Sequence, residues 1–166
     1  MSKKKFVQVG IGGRARMYYQ AIAETYSDTS EIVAFCDINF TRMQYAVNVL
    51  EGLNYPAPQL YGADEFEKMI ETEKPDVVIV TSIDRTHHRY IVKAMEMGCD
   101  VISEKPMTMD ADKCQKILDA IEKTGKNLRV TFNYRYAPHN STMRRLIKDD
   151  TIGKVNQIHF EWNLNT

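Results

Sequence analysis

The stretch VGIGGRA, residues 9–15, decides the fold of this chain. It follows a short apolar run and opens a helix. Gly10, Gly12 and Ala15 in this stretch fit the pattern G-x-G-x-x-G/A. In that pattern the first glycine makes a tight turn, the second lets the backbone approach a pyrophosphate, and the small third residue allows a helix to pack closely on a strand. The turn therefore predicts a dinucleotide site, with a purely structural glycine-rich turn as the alternative.

Neighbouring residues extend the predicted site. Gly13 lies within the turn, and Arg14 stands where its guanidinium would add a phosphate contact to the free N–H groups of the helix N-terminus. Asp37 ends the next apolar run, and a carboxylate there accepts hydrogen bonds from the adenosine ribose and repels a 2′-phosphate. We therefore expect NAD as the cofactor, with NADP as the alternative because Arg42 follows a few residues later.

Apolar, β-branched runs alternate with helix-period segments along most of the chain. Such runs are typical of parallel strands covered on both faces, and strands joined by single helices form right-handed βαβ units. We therefore predict an α/β fold with a doubly wound parallel sheet. The predicted strands are residues 6–9, 32–36, 77–80, 101–102 and 128–132, and the clearest predicted helices are residues 87–97 and 110–124. The second helix is predicted to bury Ala111, Cys114, Ile117, Leu118 and Ile121.

The last part of the chain has a different pattern. Residues 139–150 have a helix-like pattern, and from Ile158 to Leu164 apolar and polar residues alternate strictly. Such alternation predicts a half-buried strand of an antiparallel sheet. One strand cannot make a sheet by itself. We therefore expect a nucleotide-binding domain at residues 1–136, followed at residues 137–166 by a linker helix and the first strand of a truncated α+β domain.

Polar residues follow several predicted strands where each strand ends. In an open α/β sheet, ligands bind outside the carboxyl ends of the strands. Ser82 and His87 follow one strand, and Asn133 and Arg135 follow another. We interpret Ser82, His87 and Asn133 as cofactor contacts, and Arg135 as a clamp for a polyol or acidic substrate. The alternatives are a helix cap for Ser82, a capping or surface role for His87 and a surface position for Arg135.

The sequence SEKPM, residues 103–107, ends another strand. Pro106 restricts Lys105 to extended geometry, and the sequence does not decide whether the peptide bond between the two is cis or trans. A lysine held near a nicotinamide can hydrogen-bond a substrate oxygen and act in general acid/base transfer. We therefore interpret Lys105 as catalytic and Glu104 as its neighbour on the cofactor side. A solvated turn is the alternative.

Composition argues against several other classes of protein. The 166 residues are 43% apolar and 27% charged with a formal net charge of zero, so neither disorder nor a basic surface for nucleic acid or membranes is indicated. No stretch approaches the roughly 20 apolar residues that span a bilayer. Cys36, Cys99 and Cys114 form neither a CxxC pair nor a zinc pattern. They indicate reduced thiols in the cytoplasm, and we expect no bound metal.

These motifs together resemble the Gfo/Idh/MocA family, named after glucose–fructose oxidoreductase, inositol dehydrogenase and a rhizopine-catabolism protein. The resemblance covers nearly the whole chain, and the Glu-Lys-Pro of residues 104–106 is its most specific mark. The likeness implies an N-terminal Rossmann domain. The matching segments are VGIGGRAR, FCD, PDVVIVTSIDRTHHRYIVKAMEMG, CDVISEKPM and FNYRYAP followed by IGKV.

The resemblance also implies a function: hydride transfer between NAD(P) and a hydroxyl of a sugar, polyol or related compound. By that likeness Lys105 is the catalytic lysine, His87 matches a histidine at the head of a helix, and Asn133 and Arg135 match a polar segment after the last Rossmann strand. In the family, the substrate wall, a D-x-x-x-H pair and the homo-oligomer interface belong to a larger C-terminal domain. His159 is not assigned to that pair. We expect this chain alone to bind cofactor without turnover.

Two alternatives stay open. The family has an NAD-using glycoside hydrolase branch, in which the sugar is oxidised transiently before elimination, but that branch often departs from the lysine of Glu-Lys-Pro. It also contains nucleotide-binding regulators that keep the Rossmann domain as a sensor. One departure from the family pattern is Ile83, where a proline is usual, so the loop over the nicotinamide is expected to differ.

Overall fold

The computed structural model describes residues 2–161 and residue 163. The chain divides into two units, Met1–Thr131 and Phe132–Thr166. The first unit contains a six-stranded sheet with its connecting helices, and the described residues of the second form a 3₁₀ helix and one α-helix. The assignment of residues 137–166 to a substrate domain stays a prediction.

A parallel sheet forms the centre of the first unit. Its strands are β1 (Lys4–Val9), β2 (Ser30–Asp37), β3 (Gln59–Gly62), β4 (Val77–Val80), β5 (Asp100–Glu104) and β6 (Leu128–Thr131). Every neighbouring pair is parallel, and the order across the sheet is β3-β2-β1-β4-β5-β6. The two halves of the sheet therefore meet between β1 and β4. This order is that of a doubly wound sheet, which confirms the predicted fold class, and it places a ligand crevice at the carboxyl ends of those two strands.

Helices connect the strands. Among the described residues the α-helices are α1 (Arg16–Ala23), α2 (Phe40–Glu51), α3 (Phe66–Glu73), α4 (His87–Glu96), α5 (Ala111–Thr124) and α6 (Pro138–Lys148). Short 3₁₀ helices span Ala63–Glu65, Asp84–Thr86 and Asn133–Tyr136. Within this described part of the chain, no helix is both long enough and apolar enough to cross a bilayer.

Two apolar clusters form the core of the first unit. In β4, Val78 and Val80 belong to one cluster and Ile79 to the other, so the clusters lie on opposite faces of the sheet. Helices α3, α4 and α5 contribute to the first cluster, and α1 and α2 contribute to the second. All four β4 residues are buried. A strand covered on both faces needs no polar side, which is why a continuous apolar run predicts it.

The ends of α5 follow from local chemistry. Asp110 accepts a hydrogen bond from the N–H of Lys113, and Gly125 ends the helix with a φ of +65°. The face of this helix is predicted less well. Its buried residues are Ile117 and Ala120, whereas two residues predicted to be buried are exposed: Ala111, and Leu118, which is 49% exposed. A leucine next to the apolar stripe fits helical periodicity, but the packing of α4 against α5 decides which side of α5 is buried.

Two strands differ from the prediction. The sequence analysis missed β3, a four-residue edge strand in which only Gly62 is buried. Such a short, half-exposed edge has little periodic signal. The structure assigns no strand to residues 158–161, where the alternating pattern predicts one, and the predicted positions Trp162 and Leu164 lie outside the described residues. Alternation states which side of a strand is apolar, but a strand also needs a hydrogen-bonded neighbour.

Candidate functional site

The glycine turn joins β1 to α1 at the carboxyl edge of the sheet. Gly10 has a φ of +85°, a left-handed conformation that favours glycine. Its N–H donates to the carbonyl of Cys36 at 2.8 Å, and its carbonyl accepts from the Thr81 hydroxyl at 2.6 Å. Ala15 is fully buried at the start of α1. The turn is therefore held by the strands on both sides of β1.

Gln8 supports the turn from below and was missed by the sequence analysis. It is fully buried in β1, and its Nε2 donates to the carbonyl of Ala15 at 3.1 Å and to the hydroxyl of Thr81 at 2.9 Å. Its Oε1 has no partner among the described residues. The sequence did contain a sign of this role, because Gln8 is the one polar residue in the apolar run of residues 6–9. Buried polar groups are hydrogen-bonded in most folds, so such a residue indicates a structural link.

The turn leaves donors and space at the N-terminus of α1. Among the residues that the structure describes, the N–H groups of Gly12, Gly13 and Arg14 have no hydrogen-bond partner. A Cβ on Gly12 or on Gly13 would meet no atom within 4 Å. Free N–H groups at a helix N-terminus, approached through open space, form an arrangement that binds phosphate. The residues present therefore fit a dinucleotide.

A cleft of about 780 Å³ opens beside the turn. Its volume lies within the range usual for small-molecule sites. Arg16 and Arg42 both line it and give it a cationic side, which suits an anionic ligand. Sequence analysis missed Arg16, because only the fold brings the starts of α1 and α2 together. The remaining lining residues include Ile11, Gly12, Gly13, Asn39, Thr41 and Tyr45.

Asp37 lies buried at the end of β2. One carboxylate oxygen accepts from the N–H of Ile11, and the other accepts from the N–H of Asn39 at 2.8 Å. The carboxylate thus ties the glycine turn to the loop before α2. Carboxylate oxygens have further lone pairs, and the ribose contact stays a prediction.

Lys105 directly follows β5 and its side chain is exposed. Its bond to Pro106 is cis, the isomer that the sequence left open. Its N–H donates to Oε2 of Glu104 at 3.1 Å. A basic side chain is therefore exposed at the carboxyl edge of the sheet, at the end of β5, the strand beside β4.

Glu104 and Arg14 pair with each other, although each was predicted to contact the cofactor. Nε of Arg14 lies 2.8 Å from Oε1 of Glu104, and the Tyr18 hydroxyl donates to the same oxygen at 2.8 Å. Glu104 is only 4% exposed. Tyr18 was missed, because one tyrosine on an amphipathic helix has no sequence signal of its own. The cofactor contacts of Arg14 and Glu104 stay predictions.

Charge and burial act in opposite directions on this cluster. Burial raises the pKa of Glu104, but the hydrogen bonds from Tyr18 and Arg14, the Arg14 charge and the Lys105 N–H outweigh it and hold the pKa below its ordinary value. Burial raises the pKa of Tyr18 to about 12; the bond from Thr131 opposes this and the Glu104 carboxylate adds to it. Glu104 is therefore an ionised acceptor at neutral pH, and Tyr18 is a neutral donor.

His87 joins two loops of the site. It is 1% exposed at the start of α4, with Nε2 2.9 Å from the carbonyl of Ser82 and Nδ1 2.8 Å from the carbonyl of Pro106. A neutral imidazole donates to one of these carbonyls, whereas the imidazolium donates to both. The Ser82 hydroxyl lies 2.9 Å from that of Thr86. The structure thus brings Ser82, His87 and the Lys105–Pro106 loop together, and the cofactor contacts of Ser82 and His87 stay predictions.

Asn133 and Arg135 lie in the second unit. Both are exposed in the 3₁₀ helix Asn133–Tyr136. The guanidinium carbon of Arg135 lies 5.5 Å from the centre of the Tyr136 ring. Their roles toward cofactor and substrate stay predictions.

The first unit thus combines a glycine turn with free N–H groups, a buried carboxylate beside it and an exposed lysine. In residues 2–161 and 163, no group of three or more His, Cys, Asp or Glu side chains is placed to hold a metal ion. The turn and the carboxylate can bind a dinucleotide. The lysine can accept or donate a proton at its Nζ.

Comparison with known proteins places this arrangement in a family. Residues 4–132 match the Gfo/Idh/MocA model, described as an oxidoreductase family with an NAD-binding Rossmann fold. The chain is 33% identical over 164 residues to YteT of Bacillus subtilis (strain 168), covering 98% of this chain and 38% of YteT. It is 30% identical over 147 residues to the D-glucoside 3-dehydrogenase of Escherichia coli (strain K12), covering 89% and 40%. It is also 28% identical over 151 residues to an alpha-N-acetylgalactosaminidase of Bacteroides fragilis, covering 90% and 35%.

Solved structures show the same fold. The WlbA dehydrogenase of Bordetella pertussis, in complex with NADH and UDP-GlcNAcA, superposes with a TM-score of 0.79 at 22% identity, covering 92% of this chain and 44% of that chain. The scyllo-inositol dehydrogenase of Lactobacillus casei, with bound NAD(H) and scyllo-inositol, superposes with a TM-score of 0.78 at 20% identity, covering 92% and 43%. The chain spans about two fifths of the length of these relatives. It belongs to the Gfo/Idh/MocA oxidoreductase family, and residues 4–132 are its NAD-binding Rossmann domain.

Proposed function

We propose that this chain is the cofactor-binding part of an NAD-dependent dehydrogenase that oxidises a hydroxyl of a sugar, polyol or related compound. The observation that carries the proposal is the exposed Lys105 at the carboxyl end of β5, on the same sheet edge as the glycine turn. Bound NAD supplies the hydride acceptor. Lys105 takes the proton of the substrate hydroxyl at its Nζ. Because the relatives are more than twice as long, this chain alone binds cofactor without turnover.

The cofactor is NAD in preference to NADP. The Asp37 carboxylate lies at the end of β2, where it disfavours a 2′-phosphate. Arg42 lines the cleft beside it and keeps NADP as a weaker ligand. Gly10, Gly12, Gly13, Arg14 and Ala15 form the pyrophosphate turn.

The remaining assignments follow from the same family pattern. Ser82, His87 and Asn133 contact the cofactor, and Arg135 binds substrate. The part of the protein beyond the Rossmann domain supplies the substrate wall and a homo-oligomer interface. The free Cys36, Cys99 and Cys114 support a cytoplasmic location.

A glycoside hydrolase is the second candidate, since one relative is an alpha-N-acetylgalactosaminidase. The Glu-Lys-Pro of residues 104–106 supports the dehydrogenase instead. The two functions differ in what accumulates: a dehydrogenase produces NADH in proportion to product, whereas the hydrolase releases the leaving group of a glycoside with no net NADH.

The test uses the full-length protein with NAD and a panel of sugars, polyols and aryl glycosides. NADH absorbance and leaving-group release are followed in the same samples. We expect NADH to accumulate with at least one sugar or polyol. Release of the leaving group without net NADH would establish the hydrolase, and NAD binding without either product would favour the nucleotide-binding regulator.

A further inference from the structure

Glu104 has an unusual place for a strand-end carboxylate. A charged residue after an apolar run normally faces solvent, yet Glu104 is 4% exposed. A buried carboxylate is costly unless it is paired and hydrogen-bonded. Its partners therefore indicate what the fold gains by burying it.

The two oxygens of this carboxylate serve different parts of the site. Oε1 accepts from Nε of Arg14 and from the Tyr18 hydroxyl, both at 2.8 Å. Oε2 accepts from the N–H of Lys105 at 3.1 Å. One side of the carboxylate thus holds the glycine turn and α1, and the other holds the backbone of the lysine.

The pairing also directs Arg14. Its Nε is bound to Glu104, while the terminal Nη groups have no partner among the described residues. The side chain remains 43% exposed. Glu104 therefore holds the Nε of the guanidinium and leaves the terminal Nη groups available to a ligand.

We propose that Glu104 is a positioning residue that couples the cofactor turn to the lysine: one oxygen orients Arg14 at the turn, and the other holds the backbone of Lys105. The inference rests on the proposed dehydrogenase, because it takes NAD as the ligand of the turn and Lys105 as the reacting base. It changes the predicted role of Glu104 from contacting the cofactor to linking the cofactor turn with the reacting lysine. Removing the Arg14 side chain should therefore loosen the backbone of Lys105, and weakening the bond to Lys105 should disturb Arg14.

The coupling can be measured without turnover, in the full-length protein. Amide hydrogen exchange at Lys105 reports the bond from its N–H to Glu104, and calorimetry gives the dissociation constant of NAD. The variants are Glu104→Gln, Glu104→Asp and Arg14→Gln. Because Arg14 is partly exposed, Arg14→Gln folds even if the buried substitutions do not.

We expect Glu104→Gln to raise the exchange rate at Lys105 and the NAD dissociation constant by about tenfold each, which is the scale of one hydrogen bond to a charged group. Glu104→Asp keeps the charge, so both the exchange rate at Lys105 and the NAD dissociation constant should rise less than in Glu104→Gln. Arg14→Gln should also raise the exchange rate at Lys105, although the two residues share no direct bond. The double variant Arg14→Gln/Glu104→Gln should lose little more than the larger single loss, because both act through one link.

The chain offers a matched control. The Tyr61 hydroxyl donates to Glu73 at 2.6 Å, so Glu73→Gln removes the charge from another tyrosine–carboxylate bond, between β3 and α3, and weakens it. It should lower stability without changing exchange at Lys105. An unchanged exchange rate at Lys105 in Arg14→Gln would overturn the coupling, as would an effect of Glu104→Gln no larger than that of Glu73→Gln. Failure of the unmodified protein to bind NAD would overturn the proposed function instead, and the exchange experiment would still decide the link.

Discussion

Gly10 and Ser82 lie so close that a Cβ on Gly10 would overlap the backbone N and Cα of Ser82. The same Cβ would stand 2.7 Å from the carbonyl carbon of Thr81. The glycine turn is therefore pressed against the end of β4. Glycine is required at residue 10 both for its positive φ and for this close approach.

Replacing Gly10 with alanine should lower the free energy of unfolding by about 3 kcal/mol or more, since backbone strain and overpacking each contribute about 1–3 kcal/mol. Urea unfolding of the variant measures this. Gly98→Ala is the matched control, because Gly98 has a similar φ of +89° with no atom within 4 Å of an added Cβ. That control should cost about 1 kcal/mol. Equal losses of unfolding free energy in Gly10→Ala and Gly98→Ala would show that the backbone at Ser82 moves away from the added methyl group at little cost.

Gly12→Ala should separate binding from stability. No atom lies within 4 Å of an added Cβ, so the free energy of unfolding should change little. The methyl group would occupy the space through which a pyrophosphate approaches the turn, and NAD affinity should fall by about tenfold or more. Calorimetry measures the affinity. Gly52→Ala, at the end of α2, should leave it unchanged; an unchanged affinity in Gly12→Ala would argue against a phosphate site here.

Asp37→Asn should alter both the fold and the choice of cofactor. The amide can accept from only one of the two N–H groups, of Ile11 and Asn39, that the carboxylate now serves. Stability should fall by about 1–3 kcal/mol. Loss of the charge should shift the ratio of NAD to NADP affinity toward NADP.

The matched control for this change is Asp76→Asn. Asp76 also accepts from a backbone N–H, that of Lys5 at 2.8 Å, but it lies at the amino end of the sheet. It should leave the cofactor ratio unchanged. A cofactor ratio unaltered in Asp37→Asn would mean that Arg16 or Arg42 sets the preference.

Lys105→Ala in the full-length protein should lower turnover by about 10²–10⁴-fold, the usual contribution of a general acid or base. NAD affinity should stay close to normal, because the backbone N–H of Lys105 still donates to Glu104. Steady-state rates and calorimetry measure the two effects. Lys123→Ala, with a side chain 75% exposed on α5, is the control and should keep full activity. Unchanged turnover in Lys105→Ala would assign this lysine to a solvated turn.

Stability in acid should depend on Glu104. Its pKa in the fold lies below the ordinary value of 4.5, so the unfolded chain binds the proton more readily. The stability that this carboxylate contributes is fully present above about pH 4.5 and is lost as the pH falls through the lowered pKa. Glu104→Gln should therefore flatten the acid side of the stability curve, measured by urea unfolding from about pH 6 to about pH 3. A Glu104→Gln curve as steep as that of the unmodified protein would contradict the prediction.

Much of the fold could be predicted because its signals are local. The run Val77–Val80 needs no partner in the sequence to indicate a buried parallel strand, and Asp110 and Gly125 mark the ends of α5. The short edge strand β3 has no such signal. The buried face of α5 also escaped prediction at Leu118, because the neighbouring helix decides which side of an apolar stripe is covered.

The sequence by itself determined the doubly wound sheet, the glycine turn and the position of Lys105 at a strand end. These follow from side-chain periodicity and from the conformational freedom of glycine, which act within a few residues. Only the tertiary structure decided that Glu104 binds Arg14, 90 positions away in the chain, and that His87 spans two loops. A buried polar group bonds to whatever partner the fold brings within about 3 Å. Local sequence patterns do not show which residues far apart in the chain come that close.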